Sequence, residues 1–154
     1  MWLWLSAWVP VVFCLAVIGL ESTVAFGSDH TSQPLQRLLE WLLSRHFTQP
    51  QWWRLHYEIR KVGHFVGYGL LSLAGFRAVW MTLLPGAEPS RRRLAAHGLA
   101  MLGTLFVASC DEFHQTLLPN RTGSGWDVLL DFSGAALLQF LVWLWTRRRA
   151  ELRS

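Results

Sequence analysis

Four stretches of this chain are apolar over the length of a bilayer crossing, which limits the fold more than any other feature. They cover residues 2–20, 62–84, 94–110 and 128–145. At about 1.5 Å per helical residue, about 20 residues cross a hydrocarbon core of about 30 Å. The apolar residues come in solid blocks rather than in a stripe, which excludes a water-facing surface for most of these segments. Composition agrees, with 52% of residues hydrophobic and only 16% charged, against about 25% charged in an ordinary soluble domain. The expectation is an all-α polytopic membrane bundle of about four spans, one domain over residues 1–154. The first stretch is read as a span rather than a cleaved leader, because no Lys or Arg precedes it and it is long for a signal core.

The net charge of +4 and a pI near 9.8 do not point to nucleic acid, since the arginines sit in tight runs beside apolar blocks and not among stacking aromatics. They act instead as orientation signals. Arg91-Arg92-Arg93 follows the second span and Arg147-Arg148-Arg149 follows the fourth. Positive charge in short loops stays cytoplasmic. Four spans then place both termini in the cytoplasm of a multi-pass cell-membrane protein, with residues 21–61 and 111–127 outside. Trp2, Trp4, Trp52, Trp53, Trp80, Trp126, Trp143 and Trp145 lie near the ends of apolar stretches, as interfacial anchors do. Cys14 and Cys110 are read as free thiols. Between the first two spans, residues 34–47 fit a helix with Leu35, Leu38, Leu39, Leu42 and His46 on one face and Gln36, Arg37, Glu40, Ser44 and Arg45 largely opposite. An interfacial amphipathic helix and a plain connecting helix both fit this pattern.

Ionisable residues gather where the later spans meet the outer face. Lys61, His64 and Tyr68 fall at i, i+3 and i+7, one polar stripe of a helix. Gly67 and Gly75 offer places for another helix to approach. The third span ends in Cys110-Asp111-Glu112-Phe113-His114-Gln115, where Asp111 and Gln115 share a face, and Pro119-Asn120 then marks a turn before Arg121. The fourth opens with Asp127 and Asp131 at i, i+4, followed by Gly134 and Leu138. Lys61 and Arg121 are the expected counter-charges for Asp111, Glu112, Asp127 and Asp131. Arg77, deep in the second span, is expected to snorkel to the interface.

The ordered set Arg60-Lys61-x-x-His64-Phe65-x-x-Tyr68, Asp111-Glu112-x-x-Gln115, Pro119-x-Arg121, Asp127-x-x-x-Asp131 and Gly134 resembles the VanZ-like membrane protein family over about residues 58–138. The family takes its name from a protein associated with resistance to the glycopeptide antibiotic teicoplanin. The resemblance implies a small polytopic envelope protein with these polar residues grouped, and it brings no catalytic mechanism. Asn120 stands where the family usually has Gly, Asp131 where Asn is usual, and Leu138 where a second Gly is common. Leu138 is expected to space the fourth helix from its neighbour.

Several roles fit the cluster. One is a pocket that binds a lipid-linked headgroup or a glycopeptide-like ligand through Lys61, His64, Tyr68, Asp111, Glu112, Gln115, Arg121, Asp127 and Asp131, with Lys61 and Arg121 on anionic groups. Another is a lipid-modifying enzyme with Glu112 or Asp111 as base and His64 or His114 as acid or base. A third is an ion-coupled carrier, which four spans without an internal repeat would support only as a homo-oligomer. Ion-paired glue between helices is the plain structural alternative. No HExxH helix or nucleophile elbow is present. His64, His114 and the acids could coordinate a divalent metal, but no paired metal-ligand spacing is present, so no metal and no cofactor is assigned, and membrane lipids are the expected partners.

Overall fold

The computed structural model describes residues 2–83, 86–119 and 121–151. Among these, every regular element is helical: α1 Trp2–Glu21, a short 3-10 turn Val24–Phe26, α2 Ser28–Leu43, α3 Gln49–Thr82, α4 Pro89–Thr116 and α5 Gly125–Glu151. Four of them, α1, α3, α4 and α5, are long and apolar enough to cross a membrane. The all-α bundle read from the apolar blocks is the fold observed. The long helix α3 is the hub, packing against α1, α4 and α5, while α4 also packs on α5.

Helix ends follow local chemistry more than hydropathy, so the helices outrun the expected spans. The second span is expected from residue 62, yet α3 begins at Gln49 and runs 34 residues, about 51 Å at about 1.5 Å each. Thr48 and Gln51 form a reciprocal capping box with Pro50 in the first turn, which starts the helix well before its apolar part. The helix is therefore longer than a crossing of a hydrocarbon core of about 30 Å requires. Similarly, Glu88 caps α4 by accepting the Arg91 N–H at 3.1 Å. Leu84, Pro85 and Asn120, where the end of the second span and the turn before Arg121 are expected, lie outside the described residues.

The amphipathic helix begins earlier than expected, at Ser28, and stops at Ser44, whose φ of 47° is left-handed. Pro34 lies inside it. His46 is therefore not on its apolar face but beyond its end, where its Nδ1 stands 3.2 Å from Glu40 Oε2. The Glu40 carboxylate also accepts from Phe47 N and from Gln36 Nε2, each at 3.0 Å. These donors pull its pKa down to about 2. The leucine face of α2 is exposed at Leu38, Leu42 and Leu43. Trp52, expected at the interface, is instead buried between α2 and α3, donating to Ser32 Oγ at 2.7 Å.

Packing of α5 on α3 depends on two glycines. A Cβ on Gly134 would run into the Phe65 carbonyl, and one on Gly69 would meet Leu138 Cδ1 at 2.9 Å. In lipid, close backbone approach and van der Waals contact supply the helix association that water cannot drive. The approach expected at Gly67 is absent, since nothing there lies within 4 Å, and Gly75 makes only ordinary contact with Ala100 at 3.6 Å. Leu138 does not hold the helices apart; it fills the notch over Gly69.

Arg77 reaches across to α1. Its Nη1 donates to the Ser6 carbonyl of α1 at 2.7 Å. Pro10, four residues on, has no N–H, so the Ser6 carbonyl lacks its helical donor, and Arg77 supplies one. At the same end, Arg92 closes the α3–α4 turn by donating to the Trp80 carbonyl while lying over the Trp80 ring. The arginine runs thus sit at one end of the bundle, where α3 ends, α4 begins and α5 ends.

Candidate functional site

At the other end, the stripe on α3 faces an acidic ladder on α5. Lys61 pairs with Asp127. One turn deeper, His64 Nδ1 stands 3.5 Å from Asp131 Oδ1. A further turn down, Tyr68 turns to α4 and donates to Asp111 Oδ2 at 2.9 Å. The i, i+3, i+7 spacing on α3 meets the i, i+4 spacing on α5, as the helix periods require. Asp111 also accepts from Gln115 Nε2 at 3.0 Å, the shared face expected of these two residues. The interhelical bond from Tyr68 to Asp111 is of a kind that contributes about 0.6 to 2 kcal/mol in a membrane.

Glu112 is positioned by the start of α5. The Ser124 N–H donates to Glu112 Oε2 at 2.8 Å, while the Ser124 hydroxyl accepts the Trp126 N–H at 3.2 Å and caps the helix. Gly123 permits this, because a Cβ there would strike the Glu112 backbone carbonyl. Donor atoms of His64, Glu112 and Asp131 all lie within 4.8 Å of one another. The three come from three different helices. They form a candidate metal-ligating set that no spacing in the sequence marks.

Two expectations change. Arg121 is not the counter-charge for the acids; its Nη2 donates to the carbonyls of Glu21 at 2.8 Å and Thr23 at 2.9 Å. The Glu21 carbonyl ends α1 without a helical donor and carries partial negative charge, so a guanidinium suits it, while the Thr23 carbonyl, just beyond the helix, also accepts the Phe26 N–H at 3.2 Å. Its Nε and Nη1 are buried without a hydrogen-bond partner. His114 lies outside the cluster, with Nδ1 3.0 Å from Ser22 Oγ. Two residues beyond Glu112 on a helix, it points to nearly the opposite side.

Above this ladder opens a cavity of about 620 Å³, lined by His64, Glu112, Gln115, Lys61, Arg121 and Asp127. Sequence reasoning missed its outer wall: Trp53, His56, Tyr57 and Arg60 from the early turns of α3, and Trp126 from α5. Trp53, Tyr57, Lys61 and His64 recur at helical spacing, so the same periodicity that found the stripe extends upstream once α3 is known to start at Gln49. A second polar set also went unnoticed. Gln139 Oε1 lies 2.6 Å from His97 Nδ1, and its Nε2 donates to Ser72 O at 2.9 Å, tying α3, α4 and α5 together away from the cavity.

Among curated proteins and among solved structures, nothing matches this chain. One family model, VanZ/LLP1, matches residues 2–146. The chain is a multi-pass membrane protein that belongs to the VanZ/LLP1 family.

Proposed function

We propose that this VanZ-family protein binds the anionic headgroup of a membrane amphiphile, in the class of lipid-linked phosphates, within the cavity at the end of the bundle away from the arginine runs. One observation carries this reading: two arginines, Arg60 and Arg121, line one cavity, and Nε and Nη1 of Arg121, buried as the side chain stands, have no hydrogen-bond partner. Planar guanidinium donors match phosphate oxygens, and such a charged hydrogen bond is roughly twice as strong as a neutral one. Trp53, Tyr57 and Trp126 on the wall suit the depth at which headgroups meet acyl chains. Cytoplasmic arginine runs would turn the cavity to the outer face of the cell membrane. A glycopeptide-like ligand would offer a carboxylate to the same donors. Family membership by itself brings no resistance role.

A photoreactive residue in place of Trp126 tests the reading in liposomes. Capture of a phosphate-monoester lipid over phosphatidylcholine supports it, and equal capture of both sinks it. A lipid-modifying enzyme remains the second reading, favoured by the Glu112 carboxylate and the His64 imidazole on one cavity wall. Conversion of the captured lipid would separate the two. Beneath the site, Tyr68, Leu71 and Ala108 pack with Ile18 in a buried layer, which disfavours a carrier path through one chain.

A further inference from the structure

Beneath the cationic rim of the cavity the charge reverses. Asp111, Glu112 and Asp131 are 9%, 4% and 0% exposed. No Lys or Arg among the described residues comes within ion-pair distance of any of the three. Asp111 is engaged by Tyr68 and Gln115, and Glu112 by the Ser124 N–H. Asp131 has no such donor: both of its carboxylate oxygens are buried and accept no hydrogen bond. The nearest group able to offset its charge is His64, at 3.5 Å. A fully buried carboxylate without hydrogen bonds is costly unless something else compensates it.

Besides an imidazolium at His64, a divalent cation is a compensation this geometry allows. The donor atoms of His64, Glu112 and Asp131 already lie within 4.8 Å of one another. Around a tetrahedral ion with bonds of about 2.0 to 2.1 Å, donors stand about 3.3 Å apart, so side-chain rotations of roughly 1.5 Å close the set. Each donor sits on a separate packed helix, and the Ser124 N–H fixes the Glu112 carboxylate from outside. Two carboxylates and a neutral imidazole balance a charge of 2+. Calcium and magnesium favour all-oxygen shells, whereas one imidazole with two carboxylates suits zinc, manganese and their first-row neighbours.

We propose that His64, Glu112 and Asp131 form a site for one divalent first-row transition-metal ion at the floor of the cavity. Three protein ligands leave a coordination position open. His64 and Glu112 line the cavity while Asp131 closes the set from its buried position on α5, so the open position faces the space beneath Arg60 and Arg121. An oxygen of water or of a phosphate headgroup fits there. The site stands on these three residues alone and holds its ion with or without a lipid.

The test uses the full chain in detergent, stripped with a chelator and titrated with Co2+, whose visible absorption reports its ligand geometry. The result expected is one Co2+ per chain, displaced by Zn2+, with affinity lowered at least tenfold in each of His64→Ala, Glu112→Gln and Asp131→Asn. His46→Ala, which removes an imidazole 96% exposed outside the cluster, leaves binding unchanged. Gel filtration and circular dichroism establish that each variant folds, and if one does not, the remaining two decide. No Co2+ spectrum in the wild-type chain, or one unmoved by every cluster substitution that folds, overturns the proposal. Lipid capture repeated in chelator tests the headgroup reading separately, so either can fail without the other.

Discussion

His64 on α3 and Asp131 on α5 stand 3.5 Å apart, and neither oxygen of the fully buried Asp131 accepts a hydrogen bond. Two accounts of that relationship differ in sign. If the pair is glue, breaking it costs about 3 to 5 kcal/mol. If Asp131 is held for a cation, then without metal it is an uncompensated group. Asp131→Asn is therefore expected to raise stability by about 1 kcal/mol in chelator. Thermal unfolding in detergent with chelator reads the sign, and a drop of several kcal/mol would favour glue.

Arg77 answers a defect that Pro10 creates in α1, and the two positions should be coupled. Arg77→Leu leaves the Ser6 carbonyl without its donor at 2.7 Å, at an expected cost of about 1.5 to 3 kcal/mol. In a Pro10→Ala background the helix supplies its own N–H, so the same substitution should cost about 1 kcal/mol less. A double-mutant cycle by denaturant unfolding measures the coupling, and strict additivity would contradict the assignment.

The α3–α5 contact depends on Gly134. Its replacement by Ala sets a methyl against the Phe65 carbonyl, with an expected loss of about 1 to 3 kcal/mol. Gly67→Ala, where nothing lies within 4 Å, should change stability by less than about 0.5 kcal/mol. Equal effects at the two positions would mean that the helices do not pack as described.

Glu40 fastens the segment that follows α2. Its folded pKa of about 2 lies below the ordinary value of 4.5, so its contribution is fully present above pH 4.5 and fades as the pH falls towards 2. A carbon-detected NMR titration of the Glu40 carboxyl should show a midpoint near 2. A midpoint near 4.5 would show that Phe47, Gln36 and His46 do not hold it.

What the sequence made legible were the features that depend on period alone. Four spans follow from apolar blocks, and the Lys61, His64, Tyr68 stripe and the Asp127, Asp131 ladder follow from helical spacing; the bundle brings them face to face. Arg121 could not be read this way, because its partners are the backbone carbonyls of Glu21 and Thr23, about a hundred residues earlier. The outer cavity wall was hidden for another reason. Charged residues such as Arg54, Glu58 and Arg60 keep the first turns of α3 out of the apolar block that marks the second span, while the capping box at Thr48 and Gln51 has already begun the helix.

In the proposed function, the cavity takes an anionic headgroup through Arg60 and Arg121. Native mass spectrometry of the full chain, released from micelles holding equal amounts of a phosphate-monoester lipid and phosphatidylcholine, tests it most directly. One phosphate lipid should be retained per wild-type chain, with retention falling at least tenfold in Arg60→Gln and in Arg121→Gln. Equal retention of the two lipids, or phosphate-lipid retention unchanged in both folded variants, would contradict it.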